Sequence, residues 1–129
     1  MIRFEQVTKV LGGRKVLDGL SFEIRKGEVF VIVGPSGTGK SVTLKCIAGV
    51  VRPDEGRIVV NGVTFFDSKE RIHLSPQKRR VGLLFQNYAL FPNRTVEQNI
   101  LPVLSLGKRG TNIQERFRAL IRQFHIEGL

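Results

Sequence analysis

The sequence predicts an α/β fold in which an apolar strand leads through a glycine-rich loop into a helix. The strand is residues 29–33, five consecutive apolar residues of mostly β-branched type, a pattern typical of a strand covered on both faces of a parallel sheet. Three glycines and a proline follow within six residues. Apolar residues then recur at helical spacing, at Leu44, Ile47, Ala48 and Val51. We expect this strand in the core of the domain.

Shorter segments predict antiparallel strands. Residues 2–10 and 20–24 alternate between apolar and polar side chains, which is typical of half-exposed strands. Residues 57–60 and 63–66 flank Asn61-Gly62, a dipeptide favoured in two-residue hairpin turns because both residues tolerate positive φ. We therefore expect antiparallel strands at residues 2–10 and 20–24 and a hairpin at residues 57–66.

Later segments predict one more strand and two helices. Residues 81–85 form a second buried-strand candidate, expected beside the first. Thr95 with Gln98, and Thr111 with Gln114, match the capping box, in which a hydroxyl and an amide satisfy free helix N–H groups. The first helix is expected to be cut short by the proline at position 102. The second carries an apolar stripe at Ile113, Phe117, Leu120, Ile121 and Phe124.

Length, composition and charge limit the classes of protein to which this chain can belong. A chain of 129 residues is long enough for one core, and its longest apolar stretch is far below the roughly 18–20 residues of a membrane-spanning helix. Its one cysteine, Cys46, cannot form an internal disulfide. The net charge of +10 would favour nucleic acid, but the basic residues lie scattered without interleaved aromatic residues. We expect a cytoplasmic protein with no nucleic-acid partner.

Residues 34–41 match the phosphate-loop pattern G-x-x-x-x-G-K-[ST], placed between a strand and a helix as the pattern requires. Its glycines let consecutive N–H groups point at phosphate oxygens, and the helix N-terminus adds partial positive charge. Lys40 is predicted to reach the β- and γ-phosphates, and Ser41 to offer a hydroxyl to Mg²⁺. The alternative is a glycine turn that binds no ligand.

Four segments resemble ATP-binding cassette (ABC) proteins, the nucleotide-driven subunits of transporters. These are the phosphate loop and residues 16–22, 53–58 and 81–92, of which the last resembles bacterial importer ATPases for sulfate, molybdate or polyamines. The resemblance implies an α/β fold with a P-loop NTPase-type core sheet, an N-terminal antiparallel β subdomain and the start of a helical subdomain. It implies a core at residues 1–106 and a helical part at 107–129. Independently of the resemblance, residues 106–110 are the best candidate for a joint between subdomains.

The same resemblance implies a set of site residues. Gln86 would contact Mg²⁺ and help place the attacking water, so that Lys40 and Gln86 are the catalytic residues and Ser41 and Gln86 the metal ligands. Leu11 stands where relatives usually carry an aromatic residue that stacks on adenine, so adenine is expected to be held less firmly. The predicted nucleotide-binding residues are Gly34, Pro35, Ser36, Gly37, Thr38, Gly39, Lys40, Ser41, Thr43 and Leu11. A groove for membrane-embedded permease subunits would be lined by Tyr88, Leu90, Phe91 and Pro92.

In the ABC family, a serine-glycine signature, an acidic magnesium strand and a switch histidine normally follow the glutamine loop, and none is recognisable in these 129 residues. His73 and His125 are interpreted as surface or packing histidines. We therefore expect a truncated importer subunit that binds ATP and Mg²⁺ weakly alone and hydrolyses ATP at or near background. The full-length form would dimerise around two nucleotides, lie at the inner face of the cell membrane through its permease subunits, and drive uptake of an oxyanion such as molybdate or sulfate.

Three alternatives stay open at this point. A small-molecule kinase would share the phosphate loop and fit the length of the chain. A nucleic-acid-associated ABC ATPase would account for the positive charge. A structural remnant that binds nothing is the third.

Overall fold

The chain divides into two compact units, Met1–Leu83 and Leu84–Leu129. The computed structural model describes residues 1–105 and 112–128 of these units. The predicted joint at residues 106–110 lies outside the described residues, so the division at residues 106 and 107 stays a prediction. Among the described helices, none is long and apolar enough to cross a bilayer.

An antiparallel sheet of five strands forms the first unit, in the order β2-β1-β3-β4-β5. Its strands are β1 (Ile2–Leu11), β2 (Arg14–Ile24), β3 (Glu55–Val60), β4 (Val63–Asp67) and β5 (Ile72–His73). The four predicted antiparallel segments are confirmed. The fifth strand has only two residues, too few for a detectable alternation.

The turn between β3 and β4 is built as its dipeptide predicts. Asn61 and Gly62 both have positive φ, at 48° and 80°, and Val60 pairs with Val63 across the turn. Such a turn follows the right-handed twist of the strands that it joins, which is why it is common in two-residue hairpins. The predicted hairpin is confirmed.

Two helices belong to the first unit, α1 (Lys40–Ala48) and α2 (Pro76–Arg79). The predicted helix after the glycine loop is confirmed as α1, which ends at Gly49 in the left-handed conformation, with φ 83°. Helix α1 places Cys46 and Ile47 in the core, beside buried side chains of the sheet: Phe4, Val7, Leu17, Ile58, Val60, Phe65 and Phe66. The core therefore lies between the antiparallel sheet and α1.

Asp54 ties the segment after α1 to the first strand. Its carboxylate accepts from the Val10 N–H at 2.7 Å and from the Lys9 ammonium at 3.0 Å, and its own N–H donates to the Thr8 carbonyl at 2.9 Å. The Val10 hydrogen bond and the Lys9 charge both lower the pKa of Asp54, since each favours the ionised carboxylate.

The second unit contains α3 (Val96–Ser105) and α4 (Ile113–Gln123). The first capping box is confirmed: the Thr95 N–H donates to Gln98 Oε1 at 3.1 Å, and the Gln98 N–H donates to Thr95 Oγ1 at 3.2 Å. The predicted interruption at Pro102 is wrong, because α3 continues through Pro102 to Ser105. The lost backbone hydrogen bond lies close to the end of the helix, where the buried side chain of Leu104 still favours the helical conformation.

The cap of α4 differs from the prediction. Helix α4 is capped by Asn112, whose side chain accepts from the Gln114 N–H at 3.2 Å, whereas Thr111 lies outside the described residues. The apolar stripe of α4 is only partly covered within the described residues. Its members Phe117, Leu120 and Ile121 are half-buried, and Phe124 is exposed.

Two predicted strands are wrong. Residues 29–33 and residues 81–85 form no ladder, so they do not pair with each other. Val29, Val31 and Val33 are 90%, 70% and 84% exposed, instead of lying in the core. A parallel strand needs at least one hydrogen-bonded neighbour and cover on both faces, and among the described residues no strand pairs with these segments.

We predict that Asp54→Asn lowers the free energy of unfolding by about 1 kcal/mol at pH 7, because it removes the charge-assisted bond with Lys9 at an exposed position. The folded pKa of Asp54 is depressed, so its stabilisation is present above the unfolded pKa and is lost as pH falls through the folded pKa. Urea titrations of both proteins from pH 7 to pH 3 should show the difference shrinking below about pH 4. A difference that is independent of pH would contradict this assignment.

Candidate phosphate-binding site

The phosphate loop leads directly into the open N-terminal end of α1. Gly39 is the N-cap residue, in the left-handed conformation with φ 89°, and no side chain caps this end of the helix. The first N–H groups of an α-helix have no intrahelical acceptor and carry partial positive charge. The first turn of α1 contains no acidic residue. The end of the helix therefore presents donors that suit an anion.

Gly39 fits closely against strand β2. A Cβ atom at this position would lie 2.5 Å from the Val16 carbonyl oxygen and 2.8 Å from Leu17 Cδ2. Gly37 also has positive φ, at 79°, but a Cβ there would meet open space. The last glycine of the motif is thus required by packing as well as by conformation, and it locates the start of α1 on the sheet.

Lys40 reaches back over the loop that precedes it. Its ammonium donates to the carbonyl oxygens of Gly34, at 2.7 Å, and Pro35, at 2.5 Å. The Thr38 hydroxyl also donates to the Pro35 carbonyl, at 2.8 Å, which closes the loop on itself. Because these acceptors are neutral, a phosphate oxygen would offer the ammonium a stronger bond, one between two opposite charges.

The three hydroxyl residues of the predicted set take different positions. Ser36 and Ser41 are exposed, and Ser41 lies in the first turn of α1, where its hydroxyl is open to a metal ion or a phosphate. Thr43 is 2% exposed, and its hydroxyl donates to the Gly39 carbonyl at 3.0 Å. Thr43 therefore supports the loop from the interior, and its contact with a nucleotide stays a prediction.

Leu11 lies at the end of strand β1, where it pairs with Arg14 across the Gly12-Gly13 turn. Its side chain is 45% exposed. The same hairpin carries Val16, whose carbonyl approaches Gly39, so Leu11 belongs to the strand pair that supports the phosphate loop. Stacking of adenine on Leu11 stays a prediction.

Gln86 lies in the second unit and is exposed. It stands at the start of a turn in which the Tyr88 N–H donates to the Phe85 carbonyl at 2.9 Å. Lys40 belongs to the first unit and Gln86 to the second. The roles predicted for Gln86 toward Mg²⁺ and water stay predictions.

The predicted permease groove residues are also in the second unit. Tyr88, Leu90, Phe91 and Pro92 are all exposed, and the Arg94 guanidinium lies over the Phe91 ring at 4.7 Å from its centroid. An apolar surface of this kind is typical of a binding face. Its partner stays a prediction.

Asn99 was not predicted from the sequence, and it organises the loop that carries Phe91. Its side chain accepts from the Phe91 N–H at 2.9 Å and donates to the Thr95 carbonyl at 3.0 Å. The same amide lies 3.3 Å from the carbonyls of Phe91 and Arg94. No periodic pattern marks such a residue, because its partners are backbone groups four to eight positions away.

Comparison with known proteins identifies the family. The ABC transporter family model matches residues 17–129, and the chain belongs to this family. It is 37% identical over 127 residues to the spermidine/putrescine import ATP-binding protein PotA of Nitrosospira multiformis, covering 98% of this chain and 33% of PotA. It is 48% identical over 108 residues to the molybdate/tungstate import ATP-binding protein WtpC of Methanocaldococcus jannaschii, covering 84% of this chain and 34% of WtpC.

A further relative has a different role. The cell division ATP-binding protein FtsE of Escherichia coli is 39% identical over 125 residues, covering 94% of this chain and 55% of FtsE. Among solved structures, the cassette MJ0796 in a post-hydrolysis dimer bound to ADP and Pi aligns with a TM-score of 0.73 and 31% identity, covering 93% of this chain and 54% of that one. The chain thus spans between a third and about half the length of these proteins.

These comparisons confirm the predicted fold class. Membership of the ABC transporter family also removes the small-molecule kinase alternative.

We predict that Gly39→Ala destabilises the chain by about 1–3 kcal/mol more than Gly37→Ala does, because only at position 39 does the new methyl group collide with β2. Both variants share the cost of a left-handed alanine, about 1–2 kcal/mol, so the pair isolates the packing effect. Thermal unfolding followed by circular dichroism measures the difference. Equal stability of the two variants would contradict the close approach of Gly39 to Val16.

Proposed function

We propose that this chain binds the phosphates of MgATP at residues 34–41, as the nucleotide-binding part of an importer-type ABC ATPase. The observation that carries the proposal is the joint presence of an uncapped helix N-terminus, a lysine ammonium folded over the loop, and an exposed hydroxyl at Ser41. Lys40 and Ser41 are adjacent in the first turn of α1, so each offers a donor or a metal ligand at the amino end of this helix, where positive charge suits a Mg²⁺-bound triphosphate.

Lys40 would exchange its neutral acceptors for phosphate oxygens when nucleotide binds. The ammonium has three donors and the loop carbonyls accept two of them at short distance. Because a bond from the ammonium to an ionised phosphate oxygen joins two opposite charges, it is stronger than the bonds to neutral carbonyls, and the exchange favours the bound state. Ser41 would complete the metal ligands from the protein side, with Gln86 as the proposed second ligand.

Hydrolysis, dimerisation and permease binding are proposed for a protein of the length of these relatives. The ADP- and Pi-bound dimer of the similar cassette MJ0796 supports a dimer around nucleotide. The exposed surface of Tyr88, Leu90 and Phe91 supports a docking face for permease subunits, which would hold the protein at the cytoplasmic side of the membrane. For the isolated chain we propose nucleotide binding with turnover near background.

Import of an oxyanion is the proposed process. It is supported by 48% identity to a molybdate/tungstate import protein, while similarity to PotA keeps polyamines open. Similarity to FtsE favours a second candidate, a membrane complex acting in cell division.

Uptake of labelled molybdate, sulfate and spermidine by cells with and without the gene separates the two candidate functions. Loss of one uptake activity identifies the solute. Normal uptake with defective division supports the second candidate.

We predict that Lys40→Ala weakens binding of MgATP roughly 10- to 150-fold, the loss expected for one charge-assisted bond of about 1.5–3 kcal/mol. Lys26→Ala removes the same charge from an exposed turn outside the loop and should leave the affinity within twofold. Titration of a fluorescent ATP analogue in the presence of Mg²⁺ measures both. Equal losses in the two variants would indicate that net charge, and not the phosphate loop, binds the nucleotide.

A further inference from the structure

Arg79 is a buried cation at the opposite end of α1 from the phosphate loop. The residue is 3% exposed, and within the described residues no carboxylate pairs with it. Its guanidinium donates instead to four backbone carbonyls: Leu74 at 2.7 Å, Cys46 at 2.7 Å, Ile47 at 3.0 Å and Phe65 at 3.2 Å. A buried charge is unfavourable unless it is well hydrogen-bonded. The four carbonyls supply those hydrogen bonds to the Arg79 guanidinium.

The charge of Arg79 suits the end of the helix that it contacts. Cys46 and Ile47 lie in the last turn of α1, where the carbonyls carry partial negative charge. The guanidinium satisfies two of these carbonyls with one nitrogen and reaches strand β4 at Phe65 with another. Burial lowers the pKa of Arg79, but an arginine keeps its proton in proteins, so the contact with the helix is a permanent charge interaction.

The end of α1 is shaped to admit this side chain. Gly49 follows the helix with φ 83°, and a Cβ atom at that position would lie 2.6 Å from Arg79 Nε. The guanidinium also lies over the Phe65 ring, 5.2 Å from its centroid. Arg79 therefore fixes the end of α1 against β4 and against the segment that contains Leu74.

Helix α1 is thus held at two points, by Gly39 against β2 and by Arg79 against β4. Its nine residues span only about 13 Å, and a helix this short moves as a rigid body. A displacement at the Arg79 end therefore moves the N–H groups and Lys40 at the phosphate end. Ångström-scale errors in the position of binding groups are enough to weaken a site substantially.

We propose that Arg79 is a positioning residue for the phosphate loop: it sets the placement of α1, and through α1 the geometry with which the loop meets phosphate. The inference rests on the proposed nucleotide binding. It assigns Arg79 no contact with the nucleotide.

The test compares Arg79→Lys and Arg79→Met with two matched controls. Lys78→Met removes a charge from an exposed position of the same helix, α2. Val60→Ala removes a buried methyl pair from β3, where Val60 pairs with Ile2 and Val63, and so lowers stability without removing any hydrogen-bond partner of Arg79. Affinity for a fluorescent ATP analogue with Mg²⁺ is measured at a temperature where circular dichroism shows each protein folded.

We expect both Arg79 variants to weaken nucleotide binding at least tenfold. The affinities of both controls should stay within twofold of wild type, even if Val60→Ala melts at a lower temperature than the Arg79 variants. Lysine is a poor substitute because a single ammonium cannot reproduce the planar fork. If Arg79→Met does not fold, Arg79→Lys retains the charge and the aliphatic stem and carries the test. Folded Arg79→Lys with wild-type affinity, or an equal loss in Val60→Ala, would overturn the proposal.

A second measurement separates this inference from the proposed function. In the nucleotide-free protein, the amide resonances of Gly37 and Gly39 should shift in Arg79→Lys and stay in place in Val60→Ala. Because α1 is about 13 Å long and Arg79 lies at its other end, a shift at these glycines would report a movement of the helix and not a lost contact with Arg79. Failure of the wild-type chain to bind MgATP would remove the proposed function alone. Unchanged glycine resonances in Arg79→Lys would remove the positioning role alone.

Discussion

The close approach of Gly39 to strand β2 is the constraint on which the rest of the site depends. With no side chain, Gly39 lets the backbone reach the Val16 carbonyl and the Leu17 side chain, which locates the first turn of α1 on the antiparallel sheet. From that turn Lys40 extends back over the loop and Thr43 braces it from the core. The donors for an anion are thus arranged by the backbone, before any ligand binds.

The charges at the two ends of α1 have opposite consequences. Arg79 lies at the carboxyl end, where a cation stabilises a helix, and four carbonyls hold it there. Lys40 lies at the amino end, where a cation is unfavourable for the helix itself. An anion in the loop would relieve that local conflict, which is the arrangement that the proposed binding of nucleotide phosphates requires.

Local chemistry accounts for most of the elements that could be predicted. Asn61-Gly62 produced its turn and Thr95 with Gln98 produced a capped helix, because each interaction spans only a few residues. Arg79 could not be predicted, because its carbonyl partners at Cys46 and Phe65 are brought to it by the fold. Asn99 has partners nearby in the chain, but they are backbone groups, which no side-chain pattern marks. The segments at residues 29–33 and 81–85 were predicted as strands and do not form them. Their apolar side chains indicate a need for neighbouring strands, but they do not show that such neighbours are present.

The sequence by itself determined the phosphate-loop motif, the helix that follows it and the antiparallel hairpins, since these depend on glycine, lysine and turn residues at fixed local spacing. The tertiary structure alone decided that Gly39 must be glycine for packing, that Thr43 faces inward and that Arg79 holds the far end of α1. The physical reason is that steric exclusion and the hydrogen bonds of a buried charge involve residues distant along the chain. Their proximity follows only from the folded backbone.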